Sequence, residues 1–135
     1  MATLTHDIEL AIDARIAWDV LADFGAVHTR LAPGFVTGCR MAGSAVRELT
    51  FFNGATASET LVSRDAGRRR LCYAIVGGKA AHYNAVAQVF DEGPGRSRFV
   101  WTVDVLPDAF ATHVDEMMGR GAAVMKATLE ASTGG

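Results

Sequence analysis

The sequence predicts an α+β fold in which a seven-stranded antiparallel sheet packs against one long C-terminal helix. Three observations carry that prediction. Residues 35–106 alternate apolar and polar side chains through six short segments separated by Gly, Asp, Pro and Lys, the pattern of a meander of strands. The opening segment MATLTHDIELAI alternates in the same way and supplies a seventh strand. After Pro107 the period changes, and Val114, Met118, Gly121, Met125 and Leu129 recur at helical spacing. Strands followed by a helix with one apolar stripe make a layered sheet-on-helix arrangement.

The chain has 135 residues, half of them apolar. That is enough for one core and not for two, so a single domain over 1–135 is expected. A net charge of −2 leaves no basic footprint for nucleic acid. No apolar run approaches the ~18–20 residues of a membrane span, and the first segment alternates where a signal peptide would be continuously apolar. A cytoplasmic protein without membrane insertion is therefore expected. Cys39 and Cys72 are too few for a disulfide framework or a four-ligand zinc site, and read as small apolar residues in strands.

In chain order, Asp13 stands where it can cap a helix whose apolar positions are Ala17, Val20, Leu21 and Phe24, with Gly25 placed to close it. GAVHTRLAPG then has room for one more helical turn before Pro33-Gly34. Strands follow in FVTGCRMA, AVRELTFFN, TASETLVSR, RRLCYAIV, HYNAVAQVF and SRFVWTVDVL. Pro107-Asp108 opens the long helix, with an acid at its positive end. The Ser132-Thr133-Gly134-Gly135 tail is expected to fray.

The hairpin between the fourth and fifth strands raises the chemical question. Leu71, Tyr73 and Ile75 form the apolar side of the fifth strand. A three-residue loop Asp65-Ala66-Gly67, with glycine left-handed, pairs Arg64 with Arg68 and sets Glu59 opposite Tyr73 on the inner face. A two-residue loop Ala66-Gly67 turns Glu59 to solvent. The first register is preferred because it also turns Ala57 and Leu61 inward and Ser58 and Thr60 outward. An inward carboxylate in an apolar core needs a partner, a shifted pKa or water.

The run AWDVLADF, the Pro-Gly strand start, VREL, ASETLVSRD, LCYAIVGG, HYNAVAQVF, VWTVDVLP and a long final helix resemble, in that order, the polyketide cyclase/dehydrase branch of the START-related superfamily. That superfamily, also labelled SRPBCC, includes the birch-pollen-allergen fold and the plant abscisic acid receptors. The resemblance implies a helix-grip fold, a curved sheet wrapped around the C-terminal helix with a cavity for a hydrophobic small molecule. It implies that Glu59 matches the receptors' inward glutamate, Tyr73 the aromatic one strand later and Tyr83 the tyrosine opening their sixth strand. Their gate loop matches Phe52-Asn53-Gly54-Ala55, and the loop facing it matches Gly77-Gly78-Lys79-Ala80-Ala81. The gate lacks the family's proline, and Leu31 stands where many cyclase-like members carry tryptophan.

Glu59, Tyr73 and Tyr83 are the candidate catalytic residues, for proton transfer next to a carbonyl and for stabilising an enolate oxygen. The same three are candidate ligand contacts. The expected pocket wall adds Leu31, Phe35, Phe52, Ile75, Ala85, Ala87, Trp101, Met118, Ala122 and Met125. The small residues Ala85, Ala87, Gly121 and Ala122 leave room for a cavity or for close packing of helix on sheet. His28, His82 and His113 are lone histidines, Arg64, Arg68, Arg69 and Arg70 read as a solvated edge, and no spacing suggests a metal or cofactor.

Binding of a hydrophobic or polyketide-like molecule ranks first among the readings. A cyclase or dehydratase comes second, and a protein-interaction module using the groove comes third. The expected partner is a hydrophobic small molecule, with self-association into a homodimer left open.

Overall fold

The computed structural model describes residues 1–132; the Thr133-Gly134-Gly135 part of the tail lies outside the described residues. Seven strands form one antiparallel sheet: β1 (Ala2–Leu10), β2 (Val36–Met41), β3 (Val46–Phe51), β4 (Thr56–Asp65), β5 (Arg70–Ile75), β6 (His82–Asp91) and β7 (Ser97–Leu106). Their order across the sheet is β1-β7-β6-β5-β4-β3-β2, so β1 crosses to the far side and the rest is the expected meander. Two helices complete the fold, α1 (Ala14–Ala22) and α2 (Ala111–Ala131).

Period-two alternation does most of the sorting. Along β7, Phe99, Trp101, Val103 and Val105 are buried, as are Ala85, Ala87 and Val89 along β6. The helical stripe of α2 buries Met118, Gly121, Ala122, Met125 and Leu129. Fully burying one such side chain contributes about 1.5–3 kcal/mol, so this two-layer core dominates stability.

Several local expectations change. The long helix begins at Ala111, after a 3-10 turn at Asp108–Phe110, because Pro107 is still extended. Asp13 precedes α1, but its carboxylate does not cap it; Oδ1 accepts the Gly95 N–H at 2.6 Å and ties the helix start to the β6–β7 turn. Gly25 does not close α1, which ends at Ala22. It lies in a 3-10 turn with Met41 Cγ 3.1 Å from where a Cβ would stand, so its role is close packing. A short π-helical turn, Val27–Leu31, then leads to β2.

α2 is fastened chiefly to one edge of the sheet. His6 on β1 meets Asp115 at 2.8 Å, Lys126 donates to the Glu9 carbonyl, and Glu130 accepts the Ala11 N–H at 2.8 Å. α2 also packs near the Val27–Leu31 turn, but no side-chain hydrogen bond or ion pair joins it to β3, β4 or β5 among the described residues. The gap on that side is where the functional geometry is found.

Candidate functional site

Glu59 faces inward, with 5% of its surface exposed, but by a different route from the one expected. The β4–β5 loop has four residues, Ala66-Gly67-Arg68-Arg69, closed by the Asp65–Arg70 pair. Its left-handed residue is Arg69, at φ 52°, and not Gly67. That loop alone would have switched the parity of β4. A β-bulge between Leu61 and Ser63 adds one residue and switches it back, leaving Val62 61% exposed. Glu59 therefore pairs with Ile75, and Tyr73 pairs with Leu61.

The partner that Glu59 requires is Arg47, directly opposite on β3. Arg47 shares its parity with Leu49, whose side chain is in the core, so the strand's own pleat turns the guanidinium inward. Arg47 Nε donates to Glu59 Oε1 at 2.8 Å, and Nη2 lies 2.7 Å from the same oxygen. Nη1 donates to the Phe24 carbonyl at 3.2 Å. The guanidinium sits 3.9 Å from the centroid of the Phe24 ring and 5.0 Å from that of Tyr73, two cation–π contacts that hold it in place. No protein donor reaches Glu59 Oε2 among the described residues.

Tyr73 is buried, and Trp101 Nε1–H donates to its hydroxyl oxygen at 3.1 Å. With that lone pair occupied, the phenolic proton is free to donate. Burial pushes the Tyr73 hydroxyl well above the usual phenol range, with the Glu59 charge and Tyr83 adding to it, while Arg47 and the Trp101 bond pull back. Tyr83 is half-buried and is also pushed up, by burial first and then by Glu59. Both phenols stay protonated through the physiological range and act as donors.

These groups line a cavity of about 800 Å³ between the sheet and α2. Among the expected wall residues, Phe35, Ile75, Trp101, Met118 and Met125 line it together with Glu59, Tyr73 and Tyr83. Five do not. Leu31 is packed into the core below the cavity, 4% exposed, and contributes no wall. Phe52 lies outside on the β3–β4 turn, stacked near Phe35 at 5.8 Å and under the Arg120 guanidinium at 5.5 Å. Ala85 and Ala87 point inward but lie beneath larger cross-strand neighbours, Tyr73 and Val103 for the first, Leu71 and Trp101 for the second. Ala122 is likewise covered, and a Cβ at adjacent Gly121 would stand 3.0 Å from Phe35 Cε2. Small residues here serve close packing, and the cavity opens elsewhere, between α2 and β2 to β5.

Residues not singled out from sequence also reach it. Arg47 is the most consequential; its signal was parity with Leu49, masked by the adjacent charge of Glu48. Cys39, opposite Leu49 on β2, lines the cavity, and burial pushes its thiol up. His113, in the first turn of α2, and Lys79 stand at the mouth, where Asn53, Ala55 and the 76–80 segment form the rim. His28 is half-buried with Nδ1 unpartnered, and His82 bonds Asn84 on the outer face; neither lines the cavity. Among the described residues no group of three or more His, Cys, Asp and Glu side chains is arranged to hold a metal ion, and no helix is long and apolar enough to cross a membrane.

The family model described as polyketide cyclase / dehydrase and lipid transport matches residues 1–132. Among solved structures, a solution structure from Thermobifida fusca is 30% identical, with a TM-score of 0.73 over 96% of this chain and 91% of that one. The Zhui aromatase/cyclase from Streptomyces sp. R1128 is 17% identical at a TM-score of 0.77, again over 96% and 91%. A truncated norcoclaurine synthase from Thalictrum flavum is 19% identical at 0.74 over the same shares. The last two likenesses are of fold, the helix-grip arrangement. No curated protein matches the sequence.

Proposed function

We propose that this chain, which belongs to the polyketide cyclase / dehydrase and lipid transport family, binds a hydrophobic or polyketide-like small molecule in the cavity between the sheet and α2. One observation carries the reading. A space of about 800 Å³, the size of a small-molecule site, has aromatic and methionine side chains in its wall and a buried polar cluster of Arg47, Glu59 and Tyr73, with further polar residues such as Asn53, Lys79 and His113 also lining it. The wall drives transfer of an apolar body from water, and the polar cluster orients it. Met118 and Met125 suit a wall that adjusts to ligand shape.

Turnover as a cyclase or dehydratase is the second reading, and Tyr73 is the observation that favours it. A protonated hydroxyl held by Trp101 is a ready donor to a developing enolate oxygen, with the Glu59 carboxylate on the neighbouring strand to move a proton at the adjacent carbon. Two proteins of similar fold are named as enzymes, an aromatase/cyclase and a norcoclaurine synthase, which supports keeping turnover as a reading.

Native mass spectrometry of protein from its own host, followed by denaturing extraction, tests binding. A co-purifying apolar compound is expected, and displacement of an environment-sensitive dye by that compound locates it. A protein that is empty and takes up no dye refutes the reading. Turnover is separated from binding by Glu59→Gln, which abolishes product formation if the carboxylate moves a proton and only shifts affinity if it does not.

A further inference from the structure

We infer that the cavity selects a neutral ligand bearing a hydroxyl group and rejects carboxylates; this rests on the binding reading above and narrows it to a ligand class. Three features of the polar cluster lead there. Glu59 Oε1 takes both Arg47 Nε and Nη2, while Oε2 has no protein donor, so the site presents one open acceptor. Tyr73 has its oxygen occupied by Trp101 Nε1–H, so it presents one open donor. Glu59 on β4 and Tyr73 on β5 are buried on the inner face of paired strands, and the Arg47 guanidinium bonded to Glu59 is held over the Phe24 and Tyr73 rings.

Glu59 and Tyr73 line the same cavity from adjacent strands, and in this proposal one ligand hydroxyl donates to Oε2 and accepts from Tyr73. A ketone or ether satisfies only the tyrosine. A carboxylate is excluded by charge: Arg47 and Glu59 are both 5% exposed and cancel, so an added anion would leave one uncompensated negative charge buried beside Oε2. The other basic residues lining the cavity, Arg40, Lys79 and His113, do not offset this, because all three are exposed, where an ion pair contributes little, and Arg40 is already paired with Glu48. Discrimination thus comes from a repulsive element as well as an attractive one. A fatty acid and a phenolic or hydroxylated compound of equal size would be sorted by this pair.

The test uses four probes of one ring size, 2-naphthol, 2-methoxynaphthalene, 2-naphthoate and 2-methylnaphthalene, titrated calorimetrically into the intact protein at neutral pH. The expected order places 2-naphthol first, at least about tenfold tighter than 2-naphthoate and several-fold tighter than the ether and the hydrocarbon. Naphthoate binding as tightly as naphthol overturns the inference while leaving a binding cavity in place. Naphthol binding no better than 2-methylnaphthalene overturns it too, because the polar cluster is then not engaged. Binding by none of the four refutes the cavity reading itself. In Glu59→Gln, the Arg47 charge loses its partner and the preference shifts toward naphthoate by about tenfold or more; an unchanged ratio in a folded variant overturns the charge argument.

Discussion

Replacing Arg47 by Met removes the only counter-charge to Glu59 among the described residues and isolates what that contact contributes. Both side chains are 5% exposed, and they are bonded at 2.7 and 2.8 Å. Breaking a buried ion pair from one side costs about 3–5 kcal/mol, because the surviving charge stays desolvated. Here Glu59 lines the cavity, where water can solvate part of the surviving charge, which places the expected loss near ~3 kcal/mol. The lost bond to the Phe24 carbonyl is included in that figure, at about 1 kcal/mol. Urea unfolding followed by circular dichroism measures it, with a shift of the midpoint at constant slope. The double replacement Arg47→Met with Glu59→Leu removes both charges and should recover most of the loss, since an apolar pair of similar volume is about neutral. A single-variant loss below ~1 kcal/mol, or a double variant no more stable than the single one, would refute the account of Glu59 as a carboxylate that depends on Arg47.

Two further outcomes are expected. The chain has two tyrosines, Tyr73 and Tyr83, and both are pushed above the ordinary phenol value. The unfolded chain releases these protons near pH ~10 while the folded one keeps them, so stability is unaffected below that pH and falls above it. Phenolate absorbance should appear only with unfolding; a smooth titration in folded protein near pH ~10 would contradict this burial. Gly121→Ala gains about 1 kcal/mol of helix propensity but meets Phe35 Cε2 at 3.0 Å, an overpacking that costs about 1–3 kcal/mol, so a net loss of about 0–2 kcal/mol is expected. The Phe35 ring is driven into the cavity it lines, and dye affinity should fall several-fold; unaltered affinity would mean the ring has another way to move.

Layer, strand number and helix position were legible because each rests on a repeated signal. Alternation in HYNAVAQVF and SRFVWTVDVL names the inner face several times over, so one ambiguous residue does no harm. The site rests on single residues and was less legible. Glu59 was expected inward from a three-residue loop; the four-residue loop and the bulge at Val62 are two departures that cancel in parity. A bulge leaves no composition cue when the extra residue is an exposed valine, a residue common in any strand. Arg47 was missed because Arg47-Glu48 looks like a solvated pair, although Leu49 on the same parity pointed inward. Phe52, Leu31 and the alanines failed as wall residues for another reason. Sequence patterns place a residue on a face, but how far α2 stands from that face at each point depends on packing across the two layers.

That unequal spacing has a mechanical consequence. The helix is hydrogen-bonded to the sheet along β1, through Asp115, Lys126 and Glu130, and rests on the remaining strands across a filled or unfilled gap. Widening the gap by a swing about the β1 edge breaks no sheet hydrogen bond and strips no ion pair. Its cost falls on the Arg120–Phe52 cation–π contact and on dispersion contacts of side chains such as Met118 and Met125. The strands are thus tied to one another across the whole sheet, whereas polar contacts tie the helix to the sheet only near the β1 edge among the described residues.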